Sequence, residues 1–588
     1  MRRVFAVCVV AAIVAACAGA GDTGTSTTRP VMRTTTTDEV VDESTTTTAP
    51  PTPQHGGTVV IGSDQEPSTL NPFTQGGNDG IVSVIGQTHL AGVYDIAATT
   101  LTLVPELVTE LPSVGNGGVV VNEDGTMTVR YQIRDEAVWS DGVPITGDDL
   151  AYTASVLVDR LAADETIEEV PYEIVGTEAA GKTFTIVFAT PTVAYETMFP
   201  VVMPRHAVVG SDIDEDWNDS MWPSAGPFVL AEWQKGEYLR LARNDNYWKT
   251  DSETGARLPY LDEVIFRFIP DTEALMYSFT QREVDVINPP PATEIVERLR
   301  DLESAGAEVQ VKPGPVWEHL NFQFGPNNRN PESLNAYAKY RRAIAYAIDA
   351  ERLAELVGWE PITSMLSPET EGGPWSQYTQ NLDKARDLVG EACAEAERDC
   401  STNPPTMVFS TTSNAEARPR IATELVEVLG EVGIEVELEL EDSQVFFGET
   451  LDEGTWDAGL WAWVASPGAA GFTSLLDFVD PDGAPPDGAN YYRWGTPDSS
   501  VNGDAVVRFR EILASARDTV DPEQLVALAR AAEEVLADDA VLIPIGSRVV
   551  VGAVWADKVS GFEMNTSAAG HTWNIEFWFR IDLQAVVG

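Results

Sequence analysis

Residues 126–153 read TMTVRYQIRDEAVWSDGVPITGDDLAYT and combine the signals of a strand, a turn and a helix start. The first eight residues alternate apolar and polar side chains, which predicts a half-buried strand. The Asp-Gly pair at 141–142 suits a tight turn, and Thr146 stands three residues before Asp149, as in a helix-capping box. Asp148 and Asp149 are therefore interpreted as first-turn acids that complement the helix dipole, and not as catalytic carboxylates.

The same two kinds of pattern continue on both sides of this stretch. Short β-branched runs bounded by turn residues predict strands at 58–62, 183–189, 238–242, 261–269, 435–441 and 541–545. Apolar spacings of three and four predict helices at 337–357, 382–393, 418–432 and 522–538. Strands and helices thus mix along the whole body without a short repeat, which predicts a large, lobed α/β fold.

The charge of the chain excludes one class of function. It carries 92 acidic and 37 basic residues, a formal net charge of -55, whereas nucleic-acid binding requires a basic surface. Self-repulsion at this charge favours a soluble monomer. The five histidines show no metal-ligand spacing, so no metal site and no cofactor are predicted. Since no nucleophile elbow or P-loop occurs either, the chain is not expected to be an enzyme.

The N-terminus predicts export. Arg2 and Arg3 precede an apolar run at 4–14, which is too short to span a bilayer and suits a signal peptide. The run ends in Val-Ala-Ala-Cys, which resembles the lipobox of bacterial lipoproteins, so residues 1–17 are predicted to be a lipoprotein signal with Cys17 as the lipidation site. The alternative is an ordinary signal peptide cleaved near Ala18 or Ala20.

Residues 18–56 are rich in Thr, Pro, Gly and acidic side chains and cannot form a packed core. As a flexible tether this segment would average roughly 35 Å end to end. Anchor and tether together predict a protein held at the outer face of the cytoplasmic membrane.

Two cysteines remain in the body of the exported chain. Cys393 and Cys400 are seven residues apart, and a local structural disulfide is the favoured interpretation in an oxidising compartment. A redox motif would more often have the spacing C-x-x-C.

Several segments, in order, resemble the family 5 solute-binding proteins, which serve ABC importers of oligopeptides and dipeptides. The resemblance extends from about residue 57 to about residue 580. The segments that carry it include GGTVVIGSDQEPSTLNPF (56–73), YQIRDEAVWSDGVPITGDDLAYT (131–153), PYLDEVIFRFIPD (259–271), YRRAIAYAIDAERL (340–353) and ELVEVLGEVGIEVELEL (424–440).

This resemblance implies a two-lobed, type II periplasmic-binding-protein-like fold with an extra subdomain inserted in lobe I. The implied segments are lobe I at 57–100, 219–312 and 546–588, the insert at 101–218, and lobe II at 313–545. Strands crossing between the lobes would act as a hinge, so that a solute stabilises closure and the loaded protein delivers it to the permease subunits of the importer.

The resemblance also implies a binding site. In the oligopeptide binders of the family, a Trp-containing stretch of lobe II pairs its backbone with the peptide, and a following Asp binds the α-ammonium group. Here the stretch falls on Trp463, Val464, Ala465 and Ser466, with Ser466 at the Asp position, while Asp457 matches a structural position. Other residues at cleft-lining positions are Ser224, Ala225, Gly226, Trp317, His319, Tyr491 and Tyr492.

Ser466 leaves the nature of the solute open. A serine accepts a hydrogen bond but does not neutralise a buried cation. A peptide is the leading hypothesis, and the alternatives are an N-blocked peptide, an oligosaccharide or an opine. A ligand sensor and an extracellular hydrolase are the competing functions from other classes.

Overall fold

The computed structural model describes residues 51–582 except 75–76, 78, 164–171, 367–371, 487 and 568. The predicted signal segment, Cys17 and residues 18–50 of the predicted tether lie outside the described residues.

Most strands are short, and two are long. The strands are β1 (Thr58–Ser63), β2 (Tyr94–Ile96), β3 (Leu103–Pro105), β4 (Val119–Val121), β5 (Met127–Gln132), β6 (Ile174–Ala180), β7 (Thr183–Phe188), β8 (Phe228–Gln234), β9 (Tyr238–Arg243), β10 (Glu263–Phe268), β11 (Val286–Ile287), β12 (Ala307–Phe322), β13 (Thr406–Thr412), β14 (Glu435–Glu441), β15 (Ala458–Val464), β16 (Leu542–Trp555), β17 (Val559–Ser560) and β18 (Phe579–Arg580).

Helices are concentrated in the second half of the chain. They are α1 (Gly80–Gly86), α2 (Gly147–Ala163), α3 (Arg205–Val208), α4 (Thr272–Thr280), α5 (Thr293–Asp301), α6 (Ala338–Ala347), α7 (Ala350–Val357), α8 (Leu382–Glu395), α9 (Ala417–Glu431), α10 (Ser443–Val445), α11 (Leu451–Glu453), α12 (Gly468–Asp477), α13 (Asp504–Asp518) and α14 (Pro522–Asp539).

Ten strands form one mixed sheet, in the order β14-β13-β15-β12-β16-β11-β1-β10-β9-β8. The two long strands, β12 and β16, lie in its middle and pair antiparallel, with register shifts near Trp317 and His319. Strands on one side of this pair come from the segment predicted to be lobe II, and those on the other side come from the segments predicted to be lobe I. The predicted boundaries at 312/313 and 545/546 fall inside β12 and β16, which are called the crossing strands below.

A separate four-stranded sheet, in the order β4-β5-β7-β6, lies within the predicted insert. On β5 the side chains alternate as expected, because Met127, Val129 and Tyr131 are buried while their neighbours are more exposed. Asp149 accepts a hydrogen bond from the Thr146 N–H at 2.8 Å and another from the Arg205 N–H at 2.9 Å. The structural interpretation of Asp149 is thus confirmed.

Two predicted elements differ from the structure by more than two residues. The single helix predicted over 337–357 is wrong, since Ile348 leaves the helical region and the Asp349 side chain caps α7 by accepting from the Arg352 N–H. Apolar spacing continues through this break, so periodicity alone does not reveal it. The strand predicted at 541–545 continues to Trp555, because β12 supplies a hydrogen-bonding partner beyond Pro544 and Gly546.

Each region has its own core. The largest buried apolar cluster comes from residues 317–545, with Leu101 as its one buried member from elsewhere among the described residues. A second cluster fills the insert, and two further clusters fill lobe I. Cys393, near the end of α8, is joined to Cys400 by a disulfide. Within the described part of the chain, no helix is both long and apolar enough to cross a bilayer.

Candidate functional site

The candidate binding stretch begins at the end of β15. This strand lies between β13 and the crossing strand β12, and Val316 pairs with Val464. Val464 is 39% exposed, whereas Ala465 is buried and donates its N–H to the Pro315 carbonyl at 2.8 Å. The chain therefore leaves the sheet beside the crossing strands, held by one main-chain hydrogen bond at Ala465.

Trp463 is part of an aromatic wall. Its ring stacks on Phe478 with centroids 3.8 Å apart and planes 8° apart, and Tyr491 lies 5.9 Å away. The Trp463 indole N–H donates to the Tyr492 hydroxyl at 3.1 Å, and that hydroxyl is 2.9 Å from Nε2 of His319. The structure thus brings together Trp463, Tyr491, Tyr492 and His319.

Two members of this group support the wall from behind. Tyr492 and His319 are fully buried, and the Trp317 ring lies 4.4 Å from the imidazole of His319. Burial, with the positive charge of Arg418, holds the pKa of His319 well below its ordinary value. The imidazole is therefore neutral and serves as a hydrogen-bonding support, not as a cation.

A buried ion cluster is centred on Glu318, the residue between Trp317 and His319 in sequence. Glu318 is fully buried on β12, and its carboxylate binds the guanidinium groups of Arg418 at 3.0 Å and Arg548 at 2.5 Å. Burial alone would raise the pKa of Glu318, but the two arginines outweigh it and lower the pKa. The cluster joins β12 to α9 of lobe II and to the other crossing strand, β16.

A small cavity opens beside the crossing strands. Its volume is about 10 Å³, room for about one water molecule. Its lining comes from both crossing strands and lobe II, and consists of Gly314, Pro315, Trp317, Ile362, Ser364, Met365, Ala465 and Ser547. Behind it, Ser364 donates its hydroxyl to Glu533 at 2.6 Å, and burial raises the pKa of Glu533 to about 7.

The three candidate residues at 224–226 lie at a different contact, the one between lobe I and the insert. Ser224 donates its hydroxyl to the His89 carbonyl at 2.7 Å, and its N–H binds the Ser140 hydroxyl at 2.9 Å. A side chain on Gly226 would come within 2.9 Å of the His89 backbone. Ala225 is buried in the insert core. Ser224, Ala225 and Gly226 therefore fasten the insert to lobe I and are not part of the aromatic wall.

Asp457 and Glu196 do not supply the carboxylate that is missing at Ser466, because both are already engaged. Asp457, nine residues earlier in sequence, is buried and accepts from the amides of Asn328, Asn335 and Asn330 and from the Val408 N–H. It therefore holds lobe II together and is not directed toward a ligand. Past Ser466, the Glu196 carboxylate of the insert accepts from the Ala470 N–H at 3.1 Å.

Sequence reasoning missed Glu318, Arg418, Arg548, Phe478 and Glu196. One of them had a detectable signal, because Glu318 is a charged residue inside an otherwise apolar strand, where a charge requires a partner. The partners could not be identified, since Arg418 and Arg548 are 100 and 230 residues away along the chain.

Residues 102–482 match the family described as bacterial extracellular solute-binding proteins, family 5 Middle. The oligopeptide-binding protein OppA of Mycobacterium tuberculosis is 23% identical over 465 residues, which cover 76% of this chain and 73% of OppA.

Two solved structures show the same fold. The periplasmic EDTA-binding protein EppA has a TM-score of 0.64 at 22% identity, covering 90% of this chain and 97% of EppA. The oligopeptide-binding protein AppA of Bacillus subtilis, in complex with a nonapeptide, has a TM-score of 0.54 at 20% identity, covering 90% of this chain and all of AppA.

The fold is thus the α/β, two-lobed type II architecture of periplasmic binding proteins, and the family is an extracytoplasmic one that serves ABC importers. The match extends over more than half of the chain. The chain belongs to the bacterial extracellular solute-binding proteins, family 5.

Proposed function

We propose that this protein captures a peptide between its two lobes and delivers it to the permease of an ABC importer, without chemical change. The observation that carries the proposal is the aromatic wall around Trp463, which stands where β15 meets the crossing strands. A wall of aromatic faces with few polar anchors suits small ligands, and a site at the hinge lets the ligand contact both lobes only after closure.

Within this proposal, Trp463 and Tyr491 contact the solute, while Tyr492, His319 and Trp317 fix their positions from behind. The peptide backbone pairs with the exposed end of β15 at Val464, and Ser466 supplies a neutral acceptor two residues later. The OppA and AppA relatives support a peptide as the solute.

Thermal unfolding of the purified protein with and without a casein tryptic digest tests this function. A ligand that binds only the folded state raises the unfolding temperature, by mass action. We expect stabilisation by the digest and no consumption of its peptides in parallel mass spectra. No stabilisation, or cleavage of the peptides, would contradict the proposal.

A non-peptide solute is the second candidate, because Ser466 supplies no charge for an α-ammonium group and EppA is an EDTA-binding protein. Comparing the free and N-acetylated forms of the stabilising peptides separates these cases. Equal stabilisation by both forms indicates that the free N-terminus is not recognised. Stabilisation only by sugars or opines would replace the peptide hypothesis.

We further propose that the mature protein is a monomer, anchored through lipid on Cys17 and held above the membrane by residues 18–56. The support is the lipobox-like sequence and the composition of the tether. A Cys17→Ser variant should be released from the membrane fraction into the medium. Unchanged retention of this variant would contradict the lipid anchor.

A further inference from the structure

The hairpin formed by β2 and β3 reaches from the first lobe into the core of lobe II. At its tip, Leu101 is fully buried within the cluster that otherwise comes from residues 317–545, and Ile96 packs against the same cluster. Leu101 has a φ of 57°, a backbone conformation unfavourable for a leucine. The strain persists because it places this side chain in the neighbouring lobe.

The main chain of the same tip makes a second contact. The Leu101 carbonyl accepts from the Gly468 N–H at 2.9 Å, immediately before α12 continues into lobe II. Gly468 has a φ of 75°, and a Cβ atom there would lie 3.1 Å from Leu103 and 3.3 Å from the Glu196 carboxylate. Glycine thus allows the hairpin and Glu196 to approach the start of α12 closely.

A third contact comes from the short helical turn Val193–Glu196 of the insert. The Glu196 carboxylate accepts from the Ala470 N–H, a main-chain donor in the first turn of α12, where a negative charge is favourable. Beside it, Tyr195 donates its hydroxyl to the Val520 carbonyl at 3.1 Å, between α13 and α14. Val193 packs against both the insert core and the lobe II core.

We propose that these contacts form a clasp, made by Leu101, Tyr195 and Glu196 on one side and Gly468, Ala470 and Val520 on the other, that positions the binding stretch and holds the lobes closed. The clasp contacts lobe II at Gly468 and Ala470, directly after the binding stretch Trp463–Ser466. Opening the lobes would expose the Leu101 side chain and leave the Glu196 carboxylate without the Ala470 N–H. Slower release of the captured solute is a consequence that rests on the proposed function, whereas the clasp itself does not.

Hydrogen exchange of the complete mature protein, with no solute added, tests the clasp directly. In Glu196→Ala the amide of Ala470 should exchange about tenfold faster because its charged acceptor is lost, and the amide of Gly468 should follow because the weakened clasp opens more often. Leu101→Gly should give at least the same acceleration, since glycine suits the backbone but leaves no side chain in lobe II. Small-angle scattering should show a larger radius of gyration for both variants. Glu196→Gln, which keeps an acceptor oxygen, should restore much of the protection.

Glu178→Ala is the matched control, because Glu178 is an exposed glutamate of the same insert. It should match the unmodified protein in exchange and in radius of gyration. The clasp proposal is contradicted if Glu196→Ala and Leu101→Gly also match the unmodified protein in exchange and in radius of gyration. If Leu101→Gly does not fold, the Glu196→Ala and Glu196→Gln pair decides the question alone.

Dissociation of bound peptides from a casein tryptic digest gives the functional readout. We expect release from Glu196→Ala to be about tenfold faster than from Glu178→Ala. Faster exchange in a protein that binds none of the digest would uphold the clasp and contradict the peptide function. Peptide binding with unchanged exchange and unchanged release would uphold the peptide function and contradict the clasp.

Discussion

Two of the contacts between the lobes, the crossing strands and the clasp, differ in how they hold a carboxylate. At the crossing strands, Glu318 is neutralised by Arg418 and Arg548. At the clasp, Glu196 binds the Ala470 N–H, and burial raises its pKa, while the pKa of Glu318 is lowered. The first joint is continuous chain fixed by charge, and the second is a surface contact. This difference is what a hinge and a reversible closure require.

The largest expected effect is the loss of the charge at the crossing strands. Glu318→Ala leaves Arg418 buried without its carboxylate partner, which should lower the free energy of unfolding by about 3–5 kcal/mol. Chemical denaturation measures this change. Glu308→Ala, an exposed glutamate on the same strand, is the control and should have little effect. An equal loss of unfolding free energy in Glu318→Ala and Glu308→Ala would show that the buried charge does not fix the crossing strands.

Next in size is the effect of removing the aromatic wall beside the hinge. Trp463→Ala should weaken solute binding about 30-fold or more, because a stacked aromatic contact is lost, while Tyr492 and His319 remain in place. Titration of the solute that stabilises the unmodified protein measures it. Trp233→Ala, on β8 of lobe I, should bind normally. Equal weakening by both variants would place the site elsewhere.

Ser466 lies between two residues whose N–H groups are held by other elements. Ala465 donates to Pro315 on the crossing strand β12, and Gly468 donates to Leu101 in the clasp. Ser466→Asp supplies a carboxylate at this position, and the affinity for peptides with a free N-terminus should rise about tenfold. N-acetylated versions of the same peptides are the control and should gain nothing. Unchanged binding of the free-amine peptides would show that Ser466 does not face the ligand's N-terminus.

The smallest expected effect is a difference in how the stability contributions of Glu318 and Glu196 depend on pH. Because the folded-state pKa of Glu318 is lowered, its stabilising contribution is present above its ordinary value of 4.5 and is lost as the pH falls through the folded value. Because the folded-state pKa of Glu196 is raised, its contribution is present below 4.5 and is lost as the pH rises through the folded value.

Unfolding temperatures of Glu318→Gln and Glu196→Gln, each compared with the unmodified protein from about pH 3 to about pH 8, measure these contributions. The two difference curves should slope in opposite directions. Over the pH range each should correspond to a change in the free energy of unfolding on the order of 1 kcal/mol. Parallel slopes would contradict the assignment of opposite shifts.

Local patterns predicted much of the fold. Alternation identified β5, and the Gly stop followed by a β-branched run located β14, whose observed bounds match the expected 435–441. The break at Asp349 was missed because the apolar stripe continues across it. The full length of β16 was missed because pairing with β12, distant in sequence, overrides its Pro and Gly.

The candidate site was predicted less completely. Aromatic side chains around Trp463 could be expected from the resemblance, but Ser224 and Gly226 fit contacts with His89 instead. The clasp could not be predicted, because Leu101 and Glu196 carry no distinctive local pattern. Their role depends on contacts with Gly468 and Ala470, more than 270 residues away. Long-range contacts of this kind are set by the tertiary fold.

Native mass spectrometry of the protein purified under non-denaturing conditions tests capture between the lobes most directly. The unmodified protein should retain one small solute per chain, identifiable after release, and Trp463→Ala should lose it while remaining folded. Absence of any bound solute after exposure to a peptide-rich medium, or equal retention by Trp463→Ala, would contradict the account.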